Sequence, residues 1–304
     1  MKPGPNRRSR SKARNHPSQS ESALNHAVRL VHHVCCIAGA HSLIDDIRSE
    51  GAPGTLGSMI ERNDTPGLFD WLVGVLSFQG ISDRVASAYI DEHGSVTWAE
   101  IERLLSKKPS CPKLKSYWQF EGCGYQKAKR TCSTPQHYSR CPLPKHRLRN
   151  GRLNQTAYGL FLFLRDIAES DLVSWIDTRL SQAKCTLRPN RDAATRESLL
   201  GPLRHIYGVA DKVLSLALAS ILLAAHDSRT HWHDVGGTML AIDTLVHRFL
   251  YRTGILTRLD ANHAYGPRCY EKNGCAGIIE KIAGRIIVPE GPGCSLSSGS
   301  TKLF

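Results

Sequence analysis

Apolar residues recur at three- and four-residue spacing over most of this chain, a period that predicts helices. The first such stripe is SALNHAVRLVHHVCCIAGAHSLIDDIRSE, residues 22–50, and the Gly/Pro/Asn stretch GAPGTLGSMIERNDTPG breaks it. LFDWLVGVLSFQGISDRVASAYIDEHG then predicts an apolar helix, a short break near Gly80 and a second helix. Thr97 is the expected N-cap of the next helix, with Glu100 at the capping-box position. Residues 106–153 lose the period. Helical text returns at NQTAYGLFLFLRDIAESDLVSWIDTRL and at ESLLGPLRHIYGVADKVLSLALASILLAA. A segment rich in His and Gly follows, and then AIDTLVHRFLYRTGIL, residues 241–256. Strand signals are few and short and no repeat is present, so the expected class is all-α.

No apolar run reaches the roughly 18 residues that a membrane span needs. The longest, VLSLALASILLAA, fits a buried helix, so no membrane partner is expected. Residues 1–22 have a basic composition without an apolar stretch, which fits a disordered arm and not a secretory leader. The expected organisation is that arm, a helical region (23–105), an insert (106–153), a second helical region (154–285) and a flexible tail (286–304). A monomer in the cytoplasm, associated with the nucleoid, is the expectation.

Charge narrows the choice of partner. The net charge is +13, and such an excess favours polyanions, nucleic acid before anionic membrane. It is concentrated: from Lys107 to Arg152 there are twelve Lys or Arg and one acid, Glu121. Four of the ten cysteines fall in the same segment, as Cys111-x11-Cys123-x8-Cys132-x8-Cys141. In a reducing compartment such a group points to metal before disulfides. Four thiolates suit a [4Fe–4S] cluster or a tetrahedral zinc. The wide spacing, without C-x2-C knuckles, favours the cluster, while His137 and His146 keep a mixed zinc site open. In either case the metal would shape a loop that presents Lys127, Lys129, Arg130 and Arg140 to phosphates. Tyr117, Trp118 and Tyr125 lie nearby for packing or stacking.

Two further stretches carry candidate chemistry. In HIYGVADKVLSLALA a helix is expected to end near Tyr207, turn through Gly208-Val209-Ala210, and restart at Asp211. Backbone N–H groups at the start of the second helix form a ready phosphate site. In AIDTLVHRFLYRTGIL, Asp243 is placed either to cap a helix or to serve as a catalytic carboxylate.

Together these stretches resemble the helix-hairpin-helix DNA glycosylase superfamily, which includes endonuclease III and 8-oxoguanine glycosylase. Gly208-Val209-Ala210-Asp211-Lys212 is similar to its hairpin, and Ile242-Asp243-Thr244 to its catalytic acid motif. LVGVLSFQGISDRVA resembles its first core helices, where Gln79 would fill the gap left by an extruded base. The resemblance implies a two-lobed helical fold carrying the Cys-rich basic segment as an insertion. It implies an enzyme that flips a damaged or modified base from double-stranded DNA and cleaves its N-glycosidic bond, with Gly208 and Ala210 on the DNA backbone. Asp243 would stabilise the cationic sugar. Lys212 falls where bifunctional members carry a nucleophilic lysine; made reactive by burial, it would form a Schiff base and nick the strand. Phosphate contact is its alternative role.

Departures mark where this chain differs from the family. Ala210 replaces the hairpin's second glycine, and Tyr207 the proline before the first. Lys212 and Asp243 are 31 residues apart, more than the family norm. The excess, residues 226–238, is expected to be an inserted loop whose His231, Trp232 and His233 line the base pocket. Cys269, Cys275 and Cys294 do not reproduce the four cluster cysteines of endonuclease III-like members. Two other functions remain open at this point: removal of hypermodified bases from foreign (phage) DNA, and DNA binding without turnover.

Overall fold

A computed structural model describes residues 19–38, 56–78, 81–106, 111–139, 141–143, 147, 152–183 and 191–286. They are mostly helical, with one two-stranded antiparallel hairpin, as the apolar period predicts. Gln79, Arg140 and His146 lie outside the described residues, as do most of the N-terminal arm and all but the first residue of the expected tail. The described chain divides into two compact units, residues 56–243 and residues 19–38 with 244–286. α1 (Gln19–Ala38) belongs to the smaller unit and starts inside the expected arm.

The larger unit opens with α2 (Leu56–Glu61), α3 (Thr65–Ser77), α4 (Asp83–His93) and α5 (Trp98–Ser106). α2 forms where the Gly/Pro/Asn stretch predicts a break, because Ile60 is fully buried where α2 packs on α3. Asp64 caps α3 by accepting the Gly67 N–H at 2.9 Å. Thr97 Oγ1 accepts the Glu100 N–H at 3.3 Å, so the predicted cap does start α5. The insert contributes α6 (Tyr117–Phe120), β1 (Tyr125–Gln126), β2 (Thr131–Cys132) and α7 (Pro135–Tyr138).

α8 (Arg152–Asp166) follows, and every residue from Leu153 to Leu164 is buried. Buried on every side, its polar Asn154, Gln155 and Thr156 included, α8 has no solvent face and becomes the pillar of its unit. α3, α5 and α6 pack against it. Phe161 meets Trp98 at 4.4 Å and Phe69 at 6.2 Å between ring centroids, and Phe163 sits between Tyr117 at 5.5 Å and Trp175 at 5.3 Å. Burying each such ring contributes about 1.5–3 kcal/mol. α9 (Leu172–Ala183), α10 (Arg191–Arg204), α11 (Asp211–Leu223) and α12 (Thr230–Gly236) complete the unit.

α12 corrects the expectation of an inserted loop over 226–238. Most of that stretch is helical and packs on α11. Trp232 supplies the reason, since its side chain is fully buried and its indole N–H donates to Asp177 of α9 at 2.6 Å.

The smaller unit combines α1 with α13 (Thr244–Arg252), α14 (Ile255–Arg258) and α15 (Cys275–Ala283). Gly254, at φ +73°, makes the left-handed step between α13 and α14. α1 packs on α14 and α15, with Ala27 and Val31 among the buried residues beside Leu256, Ile278 and Ile282. Arg285 closes the unit on Glu21 of α1, at 2.6 Å.

Candidate metal centre and nucleic-acid interface

The expected hairpin is present. α10 ends at Arg204 and α11 begins at Asp211, so the turn is longer than the sequence suggests. Gly208 adopts φ +77°, which a side chain would resist, and Ala210 occupies the cap position of α11. Arg204, the last residue of α10, spans the turn to Asp211, 2.5 Å from its Nε, while its Nη1 lies 2.7 Å from Glu197 of the same helix. Lys212, in the first turn of α11, is exposed. The burial invoked to make it nucleophilic is therefore absent, and its position suits a phosphate contact.

The Cys-rich insert is tied to this hairpin. Tyr207 donates its hydroxyl to the Glu121 carbonyl at 3.0 Å. Its ring meets Phe120 edge-on at 6.0 Å. A cavity of about 340 Å³ opens where the insert, α8 and the hairpin meet, lined by Tyr117, Phe120, Phe163, His205 and Tyr207 among others. Asp166, at the end of α8, anchors the insert from the other side by accepting the Tyr117 N–H at 2.7 Å. Arg165 adds a bond to the Lys115 carbonyl at 2.7 Å.

Lys127, Lys129 and Arg130 all fall on the four-residue turn between β1 and β2, and all are exposed. Arg130 holds the tip in a left-handed step at φ +50°, and its carbonyl accepts the Tyr138 hydroxyl. Trp118 is 64% exposed on α6, whereas Tyr125 is buried. The structure thus gives the insert a cationic tip and one free aromatic face. Behind the tip, Cys111, Cys123, Cys132 and Cys141 line one cavity of about 80 Å³, with His137 also at its wall. Burial pushes the Cys141 thiol up to about 11, and the neighbouring cysteines add to the shift. Burial also raises Cys123, against an opposing hydrogen bond from the Tyr125 amide. The Thr134 N–H points at Cys132 Sγ, 3.3 Å away.

Asp243 immediately precedes α13 and is half-buried. The expected base-pocket trio is not assembled. Trp232 is held in the core by Asp177, with Arg229 stacked on its ring at 4.9 Å. His231 lies 3.5 Å from the same carboxylate, and His233 meets the Ala225 carbonyl at 2.8 Å. The trio ties α12 to its own unit.

A second set of ligand-type side chains lies in the smaller unit. His247, His263, Cys269 and Cys275 place their ligand atoms within 4.8 Å of one another and could hold a metal ion. His247 comes from the buried face of α13, and His263 from the loop after α14. Cys269 lies in the 3-10 turn Pro267–Tyr270, and Cys275 is the first residue of α15. Both cysteines are free and fully buried. Burial, with Cys269 alongside, pushes the Cys275 thiol up to about 12, while burial and His263 hold His247 below its ordinary value. Gly274 permits the approach of the two cysteines, because a Cβ there would sit 2.1 Å from the Arg268 carbonyl oxygen. No motif in the sequence points to this set. Its cysteines fit no four-cysteine pattern, and its histidines stand 16 residues apart with no shared motif.

Comparison with protein families, with characterised proteins and with solved structures finds no match for this chain.

Proposed function

We propose that this protein is a DNA N-glycosylase that extrudes a damaged or modified base from the duplex and cleaves its glycosidic bond. The observation that carries the reading is the hairpin. A left-handed Gly208 joins α10 to α11, and Tyr207 fastens that turn to the insert with the cationic tip. Phosphates would meet the start of α11 and Lys212 on one side, and Lys127, Lys129 and Arg130 on the other. Trp118 offers a stacking face to an unpaired base.

Cleavage of the glycosidic bond leaves positive charge on the deoxyribose, and Asp243 is the carboxylate assigned to stabilise it. The exposure of Lys212 favours hydrolysis without a covalent intermediate over Schiff-base formation. A [4Fe–4S] cluster held by Cys111, Cys123, Cys132 and Cys141 would be structural. These residues would fix the base of the tip against α8.

Oligonucleotide duplexes, each carrying one lesion or modified base, test the reading directly. Asp243→Asn should lower base release by about 10²–10⁴-fold, the usual weight of such a group, and leave duplex affinity unchanged. Unaltered turnover in that variant overturns the assignment of Asp243. Binding without base release on any substrate would reduce the protein to a DNA-binding module. Borohydride should trap no adduct on Lys212; a trapped adduct would restore the lyase step.

A further inference from the structure

We propose that His247, His263, Cys269 and Cys275 form a closed, tetrahedral zinc site that staples the smaller unit. The inference stands apart from the glycosylase reading, because it uses only the geometry within that unit.

The distances favour a single ion. His247 Nδ1 lies 3.3 Å from Cys275 Sγ and 3.6 Å from Cys269 Sγ, and His263 Nε2 lies 3.4 Å from Cys275 Sγ. A tetrahedral zinc with Zn–S near 2.3 Å and Zn–N near 2.0–2.1 Å holds its nitrogen and sulfur ligands about 3.6 Å apart. Hydrogen bonds account for each of these contacts singly. Convergence of all four ligand atoms within 4.8 Å is what one shared ion requires. A two-iron centre with two histidines and two cysteines puts the imidazoles on one iron and the thiolates on the other. That arrangement would separate nitrogen from sulfur by more than these distances, so the mononuclear site fits better.

The surroundings also prepare the ligands. His263 Nδ1 is 2.7 Å from the Ala261 carbonyl, which can only accept. The ring proton therefore sits on Nδ1, and the Nε2 lone pair faces Cys275. Such a bond, from the far side of the ring to a carbonyl, is how metal-bound histidines are usually oriented. Soft sulfur and imidazole donors in tetrahedral array select zinc among the common divalent ions. Four protein ligands leave no open position, and both cysteines are fully buried, so the role is structural and not catalytic.

The unit has reason to need a staple. The described part of it spans residues 19–38 and 244–286. Units of this size rarely stabilise themselves by burial alone. The ion would tie the middle of α13 to the loop after α14, the 3-10 turn and the start of α15.

The test is metal analysis of the full-length protein, purified without chelator and reconstituted with zinc. Zinc K-edge absorption of the wild type should show a shell of two nitrogens and two sulfurs. Cys275→Ser and His263→Gln should each lose one equivalent of zinc, while Cys123→Ser keeps it. Because Cys275→Ser can misfold, the wild-type ligand shell decides independently of any variant. A shell of four sulfurs only, a Cys269–Cys275 disulfide by mass spectrometry, or iron at this site would each overturn the proposal.

Discussion

Two cysteine-bearing regions of this protein differ in how they are built. In the insert, four cysteines gather round one cavity within a stretch pinned from outside by Asp166, Arg165 and Tyr207. In the smaller unit, two cysteines and two histidines from four separate segments converge, alongside the apolar packing of α1 on α14 and α15. The difference teaches where a metal would matter for folding. On the zinc proposal, loss of the ion should open the loops that meet at its ligands, whereas the insert keeps its hydrogen-bonded anchors to α8 and Tyr207.

The sharpest way to break this contrast is to remove both buried thiols of the smaller unit. Structural zinc contributes on the order of 10 kcal/mol to folding of small metal-bound domains. Cys269→Ser with Cys275→Ser should therefore open residues 244–286 to limited proteolysis, while the larger unit stays resistant. Gly274→Ala should be the next most costly. Its Cβ would strike the Arg268 carbonyl, and such overpacking costs about 1–3 kcal/mol. A lower melting temperature together with lower zinc occupancy would show that the turn serves the site. Tyr207→Phe removes one hydrogen bond to the insert, worth about 0.5–1.5 kcal/mol, and thermal melts should register that loss without loss of metal. Replacing Lys127, Lys129 and Arg130 by alanine should leave stability within about 0.5 kcal/mol. Its effect belongs to binding: the slope of log affinity against log salt for duplex DNA should fall by about 2.7, near 0.9 per phosphate contact.

Much of the fold was legible in the sequence. The long apolar run of α8, the Thr97 cap and the Gly208 turn each rest on local rules, periodicity or backbone preference, that act within a few residues. The structure departs from the local pattern where a distant contact overrides composition. Residues 226–238 look like loop because of their His, Gly and Asp content, yet Trp232 finds Asp177, 55 positions away, and the segment folds as helix. The same limit hid the His/Cys centre, whose first and last ligands are 28 positions apart on different elements.

By itself the sequence determined the helical class, the basic character of the insert, the position of the hairpin and the candidacy of Asp243. The first three follow from residue type and spacing along the chain, and the last from a resemblance of separated motifs. Only the tertiary structure decided that Tyr207 joins hairpin to insert, that Lys212 is exposed, and that His247, His263, Cys269 and Cys275 meet. Those facts depend on which surfaces pack and which side chains lose water. Burial and convergence are properties of the folded chain, set by contacts between residues that the linear order keeps apart.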